Sequence, residues 1–176
     1  MKKIFFSILV LVIVNSTFAQ KKAIEISAGP TTDLNFNIYY KHSIGASVKA
    51  RYTVSKLGAI IGDITWLVQK PKSSTPVIIS SLNMLNIKFG YLSYINNSHF
   101  FIQADAGISH YSYKDNKAAA QTGFIGGFGV GYSFVINSKS SIDIAPNLNY
   151  LSQDGTGWLI INLGYRIKLN QGSSKK

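Results

Sequence analysis

Hydrophobic and polar residues alternate along most of this chain, most clearly near the C-terminus. From Ile161 to Leu169 every second residue is apolar, and the residues between them are Asn, Gly, Arg and Lys. A period of two is typical of a β-strand whose two faces meet different surroundings. The pattern predicts eight strands, over residues 22–29, 43–53, 58–69, 80–95, 99–113, 122–136, 141–153 and 157–169.

The connections between these strands also alternate, in length. Three of the connections are tight turns and most of the other four are longer. Tight turns and the other connections alternate along the chain. This order is typical of an up-and-down meander with unlike ends. We therefore predict an all-β fold, an eight-stranded antiparallel up-and-down barrel. The tight turns are 54–57, 96–98 and 137–140, and the other connections are 30–42, 70–79, 114–121 and 154–156.

The sixth strand, TGFIGGFGVGYSFVI over residues 122–136, contains five glycines. A dinucleotide-binding loop needs G-x-G-x-x-G between a strand and a helix, whereas the spacing here is G-x-G-x-G and no helical pattern follows. Gly127, Gly129 and Gly131 share one face, opposite Phe128 and Val130. We interpret them as small residues that face the narrow interior of a barrel.

Charged residues lie on the same face as these glycines. An apolar face can point inward, in a soluble barrel, or outward, into lipid; only the second explains why charges and glycines share the other face, because a crowded interior needs both ion pairs and space. We expect the charges to form structural ion pairs rather than a catalytic pair. The predicted interior charges are Glu25, Lys49, Arg51, Asp63, Lys88, Asp105, Asp143, Arg166 and Lys168, and the remaining acids, Asp33, Asp115 and Asp154, are assigned to loops.

Aromatic residues cluster towards both ends of the predicted strands. Two such belts are typical of the two interfaces of a membrane. Those assigned to the long-loop end are Trp66, Tyr111, Tyr113, Tyr150 and Trp158, and those assigned to the turn end are Tyr52, Phe100, Tyr132 and Phe134.

The N-terminus resembles an export signal. Lys2 and Lys3 precede an apolar stretch over residues 4–14, and Thr17-Phe18-Ala19 suits cleavage before Gln20. We predict a signal peptide at 1–19, a barrel at 20–169 and a short polar periplasmic tail at 170–176. The net charge is +11 and there is no cysteine. Export argues against a nucleic-acid partner, and no disulfide can hold the fold together.

Few residues suggest chemistry. His42 and His110 lie near the long-loop end, with Ser43, Ser109 and Ser112 nearby, but no third group that would orient a histidine is evident. His99 lies at the turn end. No metal-ligand spacing is present. We expect no catalytic residues, no metal and no cofactor.

The last strand carries the most specific pattern. In NLGYRIKL, Asn162 is followed two residues later by Gly164, and Ile167 and Leu169 are the last alternate apolar residues. The chain resembles the small eight-stranded outer-membrane β-barrel family of Gram-negative bacteria, of the type of the transmembrane domain of outer membrane protein A, although that family usually ends in an aromatic residue. The resemblance implies that the barrel-assembly machinery reads these four residues and that outer-membrane lipid surrounds the barrel.

The sequence favours an integral outer-membrane protein, non-enzymatic and monomeric, with a polar lumen filled by side chains. Its role would be structural, or a surface interaction through extracellular loops whose partner the sequence does not name. Two alternatives remain. One is a secreted soluble, lipocalin-like barrel that carries an apolar ligand, and the other is a narrow conducting pore.

Overall fold

A computed structural model describes residues 23–34, 40–72, 80–96, 98–115, 120–152 and 155–169. The predicted signal peptide and C-terminal tail lie outside these residues. Within the described part of the chain, no helix has the length and apolar character needed to cross a membrane.

Eight strands form one sheet in which each strand pairs antiparallel with its neighbours in sequence, and β8 pairs with β1. The sheet is therefore a closed barrel, as the alternating connections predict. The strands are β1 (Ile24–Leu34), β2 (Ile44–Thr53), β3 (Gly58–Gln69), β4 (Leu82–Tyr94), β5 (Phe100–Tyr113), β6 (Gln121–Val135), β7 (Ser140–Leu151) and β8 (Thr156–Lys168).

The register fixes the width of the barrel. Followed from Ile24 through the partners on all eight strands, it returns to Leu34, ten residues further along β1. At about 3.3 Å per residue and about 4.8 Å between strands, this offset corresponds to a strand tilt of about 40° and a radius of about 8 Å. A barrel of this size has room inside for side chains only.

Seven strands match their predicted positions to within two residues at each end. The exception is β1, which continues to Leu34 although residues from Pro30 onward were predicted to be a loop. Pro30 pairs with Ala46 on β2, while the pairing of β1 with β8 is interrupted at Gly29 and Pro30. Proline has no N–H to donate, so it breaks one ladder without ending the strand.

The two faces of the barrel differ in chemistry. Large apolar side chains project outward along all eight strands, with Ile44, Phe89 and Leu148 the most exposed among them. The buried core is the interior, which contains both charged residues and two apolar clusters. The tight turns, the start of β1 and the end of β8 lie at one end of the barrel, which we call the turn end. The longer connections lie at the other end, which we call the loop end.

Candidate functional site

The interior of the barrel contains most of the predicted site residues. At mid-height, Lys88 forms an ion pair with Asp105, with Nζ and Oδ1 3.0 Å apart, and donates to Asn149 Oδ1 at 3.0 Å. The other carboxylate oxygen of Asp105 accepts from Asn147 Nδ2 at 2.9 Å. Lys88 and Asp105 lie on neighbouring strands, and the two asparagines come from β7, across the lumen.

A second lysine extends this network. Lys49 donates to Gln103 Oε1 at 3.0 Å and lies 3.6 Å from Asp63 Oδ2. Gln103 in turn donates to Asp105 at 3.3 Å, and Thr65 donates to Asp63 at 2.7 Å. Side chains of β2, β3, β4, β5 and β7 are thereby joined in one polar layer, in which each lysine meets a carboxylate.

Nearer the turn end, two arginines share one carboxylate. Arg51 Nη2 and Arg166 Nε lie 2.8 Å and 3.4 Å from Asp143 Oδ2. Arg166 also pairs with Glu25 and donates to Tyr94 at 2.9 Å. The Arg51 guanidinium lies 5.0 Å from the centroid of the Phe101 ring, close enough for a cation–π contact.

These interior charges are balanced and closely packed. Four cations and four anions take part in the five ion pairs, all of them predicted interior residues. A cavity beside Lys49, Arg51 and Asp143 has a volume of about 10 Å³, room for about one water molecule. The arrangement can hold strands together, but around the ion pairs of the described residues it leaves no space for a substrate.

Glycines make this packing possible. A Cβ at Gly127 would lie 2.6 Å from Asp105 Oδ1 and 2.6 Å from Asn149 Oδ1, in the middle of the polar layer. A Cβ at Gly131 would overlap the Phe101 ring. The inward glycines of β6 therefore leave space for side chains of neighbouring strands, as their spacing predicts.

The loop end of the interior is apolar, which the prediction of a polar lumen missed. Tyr111 and Trp158, both predicted for an outer aromatic belt, point inward, and Tyr113 packs against the same group. Trp66 and Tyr150, from the same predicted belt, are about half exposed on the outside. We call the inward group the loop-end cluster; its buried members are Tyr40, Leu67, Leu82, Met84, Tyr111, Ile125, Leu151, Trp158 and Ile160.

Asp33 also lies inside the barrel, which corrects its assignment to a loop. It is fully buried near the end of β1. Its two carboxylate oxygens accept from the backbone N–H of Ser43 at 2.6 Å and from Gln69 Nε2 at 2.8 Å. Because the sequence pattern ended β1 before this residue, it gave no indication of an interior position.

Lys168, the ninth predicted interior charge, lies at the rim of the turn end. It is half buried and lines, with Glu25 and Arg166, a cavity of about 160 Å³. Of the four residues of the predicted assembly signal, Asn162 and Gly164 face inward on β8, and Ile167 and Leu169 face outward.

The histidines do not form the His–Ser arrangement considered from the sequence. His110 Nδ1 lies 2.8 Å from Thr122 Oγ1 on the outer face, whereas Ser109 is buried in the interior. His42 and His99 are exposed at opposite ends. Among the residues that the structure describes, no three His, Cys, Asp or Glu side chains come together as metal ligands.

An apolar exterior around an ion-paired interior is the reverse of a soluble protein, and together with the closed eight-stranded sheet it defines a β-barrel of the transmembrane type. Solved structures agree with this class. The chain is similar to Ail, the attachment invasion locus protein of Yersinia pestis, with 16% identity and a TM-score of 0.60 over 85% of this chain and 100% of that one.

Two further structures are similar. Neisserial surface protein A shares 13% identity, with a TM-score of 0.63 over 84% of this chain and 97% of that one. The outer membrane protein OprG of Pseudomonas aeruginosa shares 10%, with a TM-score of 0.59 over 86% and 98%. No family model and no curated protein sequence matches the chain. At these identities the likeness is one of fold, that of the small eight-stranded outer-membrane barrels.

Proposed function

We propose that this protein is an integral outer-membrane β-barrel, without enzymatic activity, that acts through its outer loops or by supporting the envelope. The observation that carries the proposal is the reversed chemistry of its two faces. Soluble monomers rarely expose continuous apolar patches above a few hundred Å², whereas here every strand contributes apolar side chains to the outside. A lipocalin-like carrier would need these side chains inside.

The direction of insertion follows from the two ends. Short turns, the start of β1 and the end of β8 lie at the turn end, an arrangement typical of the periplasmic side, and the longer loops then face the exterior. On this proposal, residues 1–19 direct export, and the barrel-assembly machinery recognises the Asn162, Gly164, Ile167 and Leu169 pattern on β8. Outer-membrane lipid then covers the apolar exterior.

The packed interior supports a role at the surface rather than in transport. Ion pairs fill the middle and the turn end, and the loop-end cluster lies above them. A solute would have to break both to pass. Ail, one of the structural neighbours, is named the attachment invasion locus protein, and a contact role for the outer loops of this chain is consistent with an interior packed in this way.

Cell fractionation tests the location. We expect the protein in the outer-membrane fraction, and we expect an unboiled sample to migrate faster on a gel than a boiled one, because the barrel stays folded in detergent. Recovery in the soluble periplasmic fraction without detergent would overturn the proposal. Steady single-channel current in planar bilayers would instead favour the conducting pore.

The loop role needs a separate variant. Replacing residues 73–79 by a Gly-Ser linker of equal length leaves every strand intact, so heat-modifiable migration should persist while adhesion of expressing cells to host-cell or matrix surfaces falls. A matched linker at the periplasmic turn 54–57 is the control. Equal adhesion by both variants and the parent would argue against a contact role for that loop.

A further inference from the structure

At the loop end, one buried carboxylate differs from every other acid inside the barrel. Glu25, Asp63, Asp105 and Asp143 each pair with a lysine or arginine. Among the described residues, no such pair forms at Asp33, which accepts hydrogen bonds from the Ser43 N–H and from the amide of Gln69. Its negative charge is therefore not matched as the other four are.

The surroundings of Asp33 make this charge costly. Its partner across the β1–β8 ladder is Ile160, a buried member of the loop-end cluster. Leu67, another member, precedes Gln69 by two residues on the same inward face of β3. A carboxylate in such a setting needs a compensating positive charge or further hydrogen bonds.

Within the described part of the chain, two oxygen atoms on the residues that bond to this carboxylate have no hydrogen-bond partner. Gln69 donates to Asp33 through Nε2, while its Oε1 is buried and unpartnered, and so is Ser43 Oγ, next to the N–H that Asp33 accepts. Both residues are almost completely buried. The ladders of β1 with β2 and of β2 with β3 end at Thr32–Ile44 and Ile44–Val68, so the three side chains follow on adjacent strands at one level.

From this geometry we propose that Asp33, Ser43 and Gln69 form a binding site for a small hard cation at the base of the first two outer loops. A carboxylate, an amide oxygen and a hydroxyl are the donors that calcium and sodium prefer, and the absence of sulfur or imidazole at these three positions disfavours softer metals. With a single carboxylate, affinity in the millimolar range is expected, as in weak extracellular calcium modules.

The site would link ion binding to the loops. Asp33 lies one residue before the end of β1, where the first outer loop begins, and Gln69 is the last residue of β3, where the second begins. Just beyond, Tyr40 pairs with Pro71, and the Lys41 N–H donates to the Lys70 carbonyl at 2.9 Å. A cation held by β1 and β3 would stabilise this junction. The proposal therefore goes beyond a surface role, because it names a ligand that would order the base of the first two outer loops.

Terbium, a luminescent hard cation, can test the site directly in the full-length refolded barrel in detergent. Trp158, in the adjoining cluster, is the expected donor for sensitised emission. We expect saturable emission that Ca²⁺ or Na⁺ reverses, which separates the divalent from the monovalent ligand, and a loss of about tenfold or more in affinity in Asp33→Asn. Asp115→Asn is the matched control, because Asp115 is exposed at the same end.

Stability gives an independent readout. The cation that displaces terbium, Ca²⁺ or Na⁺, is added at constant ionic strength. It should raise the Tm of the parent protein by about 3 °C in a saturable way, and it should hardly change the Tm of Asp33→Asn. Ser43→Ala, which keeps the backbone N–H to Asp33, covers the case in which Asp33→Asn fails to fold, and should weaken terbium binding several-fold. Terbium emission unchanged in the variants that fold, or a parent Tm indifferent to every cation, would overturn the proposal.

Discussion

The two ends of the lumen are closed by different chemistry. At the turn end, Arg51 and Arg166 converge on Asp143, with Tyr94 and Phe101 packed beside them. At the loop end, aromatic and aliphatic side chains of the loop-end cluster fill the same cross-section. The turn end is therefore closed by directed ionic contacts beside a smaller apolar cluster of Ile61, Leu92, Phe101 and Ala145, and the loop end is closed mainly by apolar packing.

The difference shows how a barrel without a conventional core can still be stable. Buried ion pairs contribute little net free energy, because desolvation offsets much of the attraction. Packed apolar side chains stabilise more directly, at about 25 cal/mol per Å² removed from water. We infer that the turn end sets the register of the strands, while the loop-end cluster contributes more of the stability of the interior.

The largest expected effect comes from breaking the ionic end. Of the ion pairs that the described residues form around Arg51 and Arg166, Asp143→Asn leaves only the one between Arg166 and Glu25, and removing one partner of a buried pair costs about 3–5 kcal/mol. Urea unfolding of the barrel in lipid vesicles measures this loss. Asp115→Asn, the same change on an exposed residue, should leave the midpoint where it is; equal midpoints in the two variants would contradict the ionic closure.

Breaking the packed end should cost about as much or slightly less. Trp158→Ala removes a large buried side chain from the loop-end cluster, and such truncations cost about 3 kcal/mol or more. Trp66→Ala removes the same side chain from the outer face and should cost much less. The unfolding midpoints of the two variants measure the difference, and a larger loss from Trp66 would show that the cluster does not support the interior.

A smaller effect sharpens the comparison within one strand. Gly131→Ala places a methyl group against the Phe101 ring and should destabilise by about 1–3 kcal/mol through overpacking. Gly126→Ala, on the outward face of the same strand, meets the Phe124 ring at 3.4 and 3.8 Å and the Asp105 carbonyl oxygen at 3.9 Å, all ordinary contact distances, and should be close to neutral. Refolding yield and the midpoint of urea unfolding measure both effects. A larger loss in Gly126→Ala than in Gly131→Ala would contradict the assigned facing of β6.

Most of the fold was predictable because alternation is strong in the middle of the strands. Lys49, Arg51 and Asp143 alternate with apolar residues, so the pattern assigns both faces at once. Near the loop end the alternation disappears: Trp158-Leu159-Ile160-Ile161 is apolar throughout, and so is Trp66-Leu67-Val68. A strand that is apolar on both faces shows no period-two alternation of apolar and polar residues. The sequence therefore does not indicate which face of β8 Trp158 occupies.

Asp33 was missed for a different reason. The pattern ended the first strand at a proline, although proline interrupts only one of the two ladders of β1. The predicted seventh strand continues through Pro146, because charged or polar residues alternate with apolar ones on both sides of this proline. Around Pro30 the residues are small or hydroxylated, so they show no alternation of apolar and polar side chains. Nothing in the sequence therefore indicated that the strand continues past the proline.

The two tryptophans allow the most direct test of the reversed faces, because one is outside and one inside. In lipid vesicles, bromine atoms on the acyl chains quench only tryptophans that touch lipid. Fluorescence of Trp158→Phe, which reports Trp66, should fall strongly with brominated lipid, whereas that of Trp66→Phe, which reports Trp158, should change little. Equal quenching of both, or stronger quenching of Trp158, would contradict an apolar exterior that faces lipid around a packed interior.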